Sequence, residues 1–145
     1  PVLVIGHYER IRGGCDTIPR RDGGLEEAFR LAESFAGDGH DVLMEGLELS
    51  GEHRRTAALA RRHEVRVIRL ATPLDACIRN VLARRGAGRG ALGPVSRTAE
   101  GAQHAVEAAC AALQADGVRI EHLPFDVALR RVRALLRLEE AALAA

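Results

Sequence analysis

Lysine is absent from these 145 residues, and all 21 basic side chains are arginine. A lysine Schiff base, a lysine general base and a lysine anchoring nucleotide phosphates are therefore excluded within this sequence. Tryptophan is also absent, and there are one tyrosine and three phenylalanines, so the core must be built from Leu, Val, Ile and Ala. The three cysteines, Cys15, Cys77 and Cys110, are odd in number and far apart, with no CxxC. A disulfide framework or zinc knuckle is not expected, and a reducing, cytoplasmic compartment is. Cys77 and Cys110 read as packed helix residues. No apolar run approaches the length of a membrane span, and no secretory signal is visible. HxH, HExxH and GxSxG are missing, which removes the usual zinc and serine-hydrolase patterns. Acidic residues number 20, and the formal net charge of +1 leaves no overall basic field that would indicate a nucleic-acid partner. A start at Pro1 fits either a missing segment or an initiator Met removed before proline.

The length fits one domain, 1–145. Four short aliphatic runs stand out, at Val2–Ile5, Val42–Met44, Val65–Leu70 and Val118–Leu123. The first two show no alternation, as expected of parallel strands covered on both faces. The other two interleave polar residues and are expected nearer an edge. Helical spacing separates the runs. Leu25, Ala28, Phe29, Ala32 and Phe35 share one stripe that Gly37 and Gly39 end. Ser50 is positioned to cap a second helix to about Arg62. Thr72-Pro73-Leu74-Asp75 reads as cap, first-turn proline and a carboxylate three residues on. Leu74, Ile78, Val81 and Leu82 give that helix its stripe. Ser96 or Thr98 opens a fourth helix, and Phe125, Leu129, Val132 and Leu136 mark the last, with Arg130, Arg131, Arg133 and Arg137 as a solvated face. Alternation of this kind implies right-handed crossovers and a parallel sheet with flanking helices, whose ligands bind at the carboxyl ends of the strands.

The residues that follow each strand are therefore the ones to weigh. After the first run comes a long polar loop, Gly6 to Ile18. Its Asp16 could take a proton from a substrate hydroxyl, or simply cap a turn. His7 and Tyr8 could stack on or hydrogen-bond a substrate. Gly13 and Gly14 would let backbone approach it closely, with Thr17 beside them. The second run ends in Glu45-Gly46, a pattern of the kind that holds a Mg²⁺ water, though a chance strand-end acid reads the same. The glycine-rich stretch from Arg84 to Pro94, with Arg84, Arg85, Arg89 and Arg97, is either a solvated linker or a mobile lid over 84–97. In the lid reading its guanidinium groups clamp phosphoryl oxygens.

Together these pieces resemble the P-loop kinases of the nucleotide-kinase type, and look closest to small thymidylate-kinase-like ATP-binding proteins, many of them phage-encoded. Three segments carry the resemblance: Gly6-His7-Tyr8-Glu9 with Gly13-Gly14-Cys15-Asp16-Thr17-Ile18; Gly39-His40-Asp41-Val42-Leu43-Met44-Glu45-Gly46-Leu47; and Leu70-Ala71-Thr72-Pro73-Leu74-Asp75-Ala76-Cys77 leading into Arg84-Arg85. It extends over roughly residues 2–136. It implies ATP and Mg²⁺ as cofactors and a P-loop NTPase fold. Asp16 would act on the acceptor hydroxyl, Glu45 on the Mg²⁺ shell through water, and Arg84, Arg85 and Arg89 on the transferring phosphoryl group. Substrate contacts would come from His7, Tyr8, Gly13, Gly14 and Thr17. One departure is serious. The strand and G-x-x-x-x-G-K-[ST] loop with which such proteins open do not occur here, and the family's sheet places that strand between the Glu45 strand and the Val65–Leu70 strand.

The leading expectation is thus an ATP-dependent phosphotransferase domain without its phosphate loop, inactive as given. Its acceptor would be a nucleotide, a nucleic-acid end or a small-molecule hydroxyl. The alternative is a non-catalytic, P-loop-less remnant that binds a partner or nucleotide, and a third reading is an ATPase- or GTPase-like switch with no acceptor. Neither a membrane partner nor an oligomeric state is indicated.

Overall fold

A computed structural model describes residues 1–6, 8, 14–86 and 89–138, with the backbone alone at Arg89. Among the described residues, four strands and five α-helices follow in the order β1 (Val2–Ile5), α1 (Gly24–Gly37), β2 (Asp41–Met44), α2 (Leu49–Ala60), β3 (Arg66–Leu70), α3 (Leu74–Arg85), α4 (Leu92–Ala115), β4 (Arg119–Leu123) and α5 (Phe125–Leu135). Among the described residues, no helix is long and apolar enough to cross a membrane.

Among the described residues, all strand pairing is parallel. β1 lies beside β2, with Val2 opposite Asp41 and Ile5 opposite Met44. β3 lies beside β4, with Arg66 opposite Arg119 and Leu70 opposite Leu123. The strands form two separate two-stranded sheets, and β2 does not pair with β3. Every strand therefore keeps an unpaired edge. None of the residues of β2, β3 or β4 is fully buried, although their centres are Val42, Leu43, Val67 and Ile68. Apolar parallel strands normally lie covered on both faces, so the expectation of full coverage for Val42–Met44 is not met.

Two apolar clusters hold the chain together. Ile5, Cys15, Ile18, Ala28 and Ala32 join β1, the following loop and α1. Leu49, Ala57, Ala109, Cys110, Leu113 and Val118 join α2 and α4 over the second sheet. Leu47 packs against both clusters and so joins them. Many of these contacts are made by alanine, which brings helix and strand backbones close. Leu113 and Cys15 are the largest side chains with no accessible surface.

Several helix starts differ from those read in the sequence. α2 begins at Leu49 with Glu48 as its cap residue, and Ser50 lies inside it with its hydroxyl 3.4 Å from the Glu48 carboxylate. Pro73 rather than Thr72 occupies the cap position of α3, and Asp75 pairs with Arg79 instead of closing a capping box. α4 starts at Leu92, before Ser96 and Thr98, because Pro94 falls in the first turn, where its missing N–H has no intrahelical partner to lose. The Thr98 hydroxyl instead donates to the Pro94 carbonyl at 3.0 Å. In α5, Arg130 and Arg133 are exposed, but Arg131 reaches across to Glu121 of β4 at 2.9 Å. Cys110 is buried as expected, whereas Cys77 is only half-buried, since α3 has no fully buried residue.

The lengths of α3 and α4 set the outline of the second half. α3 packs against α4, and the short connection between them makes the pair an antiparallel hairpin. Glu107 of α4 meets Arg69, near the carboxyl end of β3, at 3.5 Å. From Glu107 back to Leu92 the helix rises about 22 Å at 1.5 Å per residue. The α3–α4 hairpin thus continues about that far along α4 from the contact with β3, with Arg84 and Arg85 in the last turn of α3.

Candidate functional site

Three glycines let two loops cross at the carboxyl ends of β1 and β2. Gly6 follows β1 with φ 146°, and a Cβ there would lie 2.5 Å from the Gly14 carbonyl. Gly14, at φ 131°, would bring a Cβ to 3.2 Å from the Glu45 carbonyl oxygen. Gly46, at φ 76°, would bring one to 2.7 Å from the Asp16 carboxylate. Side chains are excluded at all three positions by both conformation and space. The Cys15 amide donates to the Glu45 carbonyl at 2.8 Å and ties the loops together. A single 3-10 turn over Cys15–Thr17 then directs Asp16 outward against Gly46 while Cys15 points into the core.

The acidic groups gather on this glycine floor. Asp16 is exposed beside Gly14 and Gly46, and the Tyr8 hydroxyl lies close enough to the Glu45 carboxylate to be influenced by it. Partial burial, the hydrogen-bonding influence of the Glu45 carboxylate and its negative charge push the Tyr8 hydroxyl up to about 12, with smaller pushes from Cys15 and Asp16. Tyr8 is thereby held as a neutral donor. Burial raises the Cys15 thiol, and the Asp16 charge adds to it, so Cys15 is an inert packing residue rather than a nucleophile. Beside the cluster, between β1 and α1, lies an open cavity of about 370 Å³ with Gly6 in its wall and Ile5, Ile18, Leu31 and Phe35 among its lining.

Of the residues singled out in the sequence, the structure brings together Tyr8, Gly14, Asp16 and Glu45. Thr17 is adjacent, but its hydroxyl donates to the Gly14 carbonyl at 2.6 Å, which makes it part of the turn. His7 and Gly13 lie outside the described residues, and Arg89 contributes only a backbone position in the short 3-10 turn Arg89–Ala91. Arg84 and Arg85 sit in the last turn of α3, about 16 Å along the helix from its start. Neither is ion-paired with Asp16 or Glu45. The pairing of Tyr8 with Glu45 and the close approach at Gly6 were not anticipated. The glycines Gly6 and Gly46, within two residues of the ends of the first two strands, were the available signal.

No group of three or more His, Cys, Asp or Glu among the described residues could hold a metal ion unaided. Mg²⁺ does not require one, because it keeps most of its water and takes one or two carboxylates together with substrate phosphates. Glu45, at a strand end beside Asp16, fits such a role. No lysine and no glycine-rich phosphate cradle accompany it, so the described residues alone do not fit the phosphates of a nucleotide.

No family model matches the chain, and no solved structure matches it. A protein of Pseudomonas phage PaMx11 named 5-hmdU DNA kinase is 34% identical to it over 140 residues, a match that takes in 94% of this chain and 71% of the phage protein.

Proposed function

The chain belongs to the family of the phage 5-hmdU DNA kinase, and from that premise we propose that it supplies the acceptor side of an ATP-dependent DNA kinase acting on the hydroxymethyl group of a modified pyrimidine. At the coarser level it is a kinase-type phosphotransferase that acts on a nucleotide or nucleic acid. The observation that carries the finer reading is the meeting of Asp16, Glu45 and Tyr8 on a side-chain-free floor at the carboxyl ends of β1 and β2, the edge at which parallel sheets bind their ligands.

In this reading Asp16 accepts the proton of the acceptor hydroxyl as its oxygen bonds to the transferring phosphorus and the bond to the leaving diphosphate breaks. Glu45 holds the water shell of Mg²⁺, which when bound neutralises phosphate charge. Tyr8 fixes the Glu45 carboxylate while remaining protonated. The cavity beside Gly6, whose lining also includes Asp22 and Glu27, falls within the size of small-molecule sites and receives the base.

The phosphates of ATP are held by a P-loop and its strand, seated between β2 and β3 in the natural protein. One feature supports this: the sheet is split at that position, with incompletely covered apolar strands on either side.

The test is phosphoryl transfer from ATP to DNA carrying 5-hydroxymethyldeoxyuridine, measured with the full natural protein. Asp16→Asn should lower turnover by about 10²–10⁴-fold, the usual contribution of a positioned general base, with ATP affinity unchanged. Turnover that survives Asp16→Asn would make Asp16 a turn residue and remove the proposed base.

A further inference from the structure

The hairpin of α3 and α4 carries a charge distribution that the fold does not account for. Between Asp75 and Glu100 the sequence holds Arg79, Arg84, Arg85, Arg89 and Arg97 and no acidic residue. With a formal net charge of only +1 for the whole chain, the remainder is net negative, so positive charge is concentrated on this one projection. Arg79 is neutralised by Asp75. Arg84, Arg85 and Arg97 are exposed and have no acidic partner among the described residues.

Helix electrostatics explain part of this. Arg84 and Arg85 lie in the last turn of α3, where a cation is favoured by the dipole. The start of α4 has the opposite preference. Its first turn carries no acid, and Arg89 and Arg97 flank it. Arg84 and Arg85 at the end of one helix and Arg97 in the second turn of the next thus lie on one hairpin without acidic partners, which an external anion would supply.

The distances select the kind of anion. The tip lies about 22 Å along α4 from that helix's contact with Arg69 near the carboxyl end of β3, and none of Arg84, Arg85 or Arg97 pairs with Asp16 or Glu45. A nucleotide acceptor bound at Asp16 would leave the tip empty. A DNA strand entering the site would pass it, since 22 Å spans about six base pairs at 3.4 Å each. Arginine suits such contacts because its guanidinium fork bonds phosphate oxygens bidentately.

We propose that the outer end of the α3–α4 hairpin, through Arg84, Arg85 and Arg97, is a docking site for the phosphate backbone of the DNA substrate, several base pairs away from the reacting base. This rests on the reading of the chain as part of a DNA kinase and assigns the hairpin to substrate capture rather than to the transferring phosphoryl group. The contacts carry no sequence information and position the duplex.

The experiment uses the full natural protein and the variant with Arg84→Gln, Arg85→Gln and Arg97→Gln. Binding to an unmodified 20-base-pair duplex is followed by fluorescence anisotropy across a salt series, without nucleotide, so that the result is independent of which hydroxyl is phosphorylated. Each lost phosphate contact lowers the slope of log K against log salt by about 0.9, so the triple variant should lose about 2.7, and the matching lysine variant should keep the parental slope. Turnover on a 5-hydroxymethyldeoxyuridine mononucleotide should stay unchanged while KM for modified DNA rises at least tenfold. An unaltered salt slope would overturn the proposal. So would an equal loss of turnover on mononucleotide and DNA, which would return these arginines to the phosphoryl group. A parental protein that phosphorylates no 5-hydroxymethyldeoxyuridine substrate would sink the kinase reading but leave the salt-slope result standing as evidence for the hairpin.

Discussion

Tyr8 offers a direct optical test of the candidate site. It is the only tyrosine in a chain without tryptophan, so the near-ultraviolet phenolate band reports this one residue. Partial burial comes first among the causes that raise it, followed by the hydrogen-bonding influence of Glu45 and the Glu45 charge, and together they move it from 10.0 to about 12. Near pH 11 a free tyrosine is about nine-tenths ionised, whereas one with a pKa of 12 is about one-tenth ionised. Glu45→Gln removes the negative charge but leaves the burial, so the midpoint should fall to between 10 and 12. The stability linkage follows the same sign. The folded pKa is raised, so the contribution is fully present below about pH 10 and is lost as pH climbs through about 12. Two units in a sealed site would be worth about 2.7 kcal/mol, but Tyr8 is 45% exposed, and solvent screening reduces this to about 1 kcal/mol or less. The titration is read only where the helical circular dichroism signal persists. A wild-type midpoint near 10 in the folded protein, or one that Glu45→Gln does not move, would refute the pairing.

Three other outcomes follow from the packing. Gly46→Ala places a methyl group 2.7 Å from the Asp16 carboxylate at a φ of 76°; kinetics of the natural protein should show turnover falling at least tenfold, while its thermal midpoint moves only modestly. Leu113→Ala opens a cavity at a position with no exposed surface and should cost about 2–5 kcal/mol in urea unfolding, against less than about 0.5 kcal/mol for an exposed change such as Arg133→Ala. Thiol labelling of the native chain should modify Cys77 first and Cys15 and Cys110 slowly, because burial raises both of the latter thiols; equal rates for all three would contradict the packing.

Local chemistry was enough to reveal the order of the elements. Val2–Ile5, Val42–Met44, Val65–Leu70 and Val118–Leu123 are short aliphatic runs set between helical stripes, and each became a strand within a residue of those bounds. Parallel pairing followed from the intervening helices, whose crossovers return the chain in the same direction. The candidate acids were readable for a similar reason, since Glu45 comes directly after β2 and Asp16 lies in the loop that follows β1, and strand ends are where such sheets present their ligands. Helix starts were less readable because caps are set by the tertiary path of the preceding chain, so Leu92 begins α4 although Ser96 and Thr98 are better cap residues. Which strands pair depends on residues far apart in the chain, and no local pattern announces that β2 and β3 stay apart. The glycine floor is likewise a meeting of two loops: Gly6, Gly14 and Gly46 need no side chain because each faces backbone or a carboxylate supplied by a distant part of the sequence. Arg84, Arg85 and Arg97 come onto one hairpin only because α3 packs back against α4.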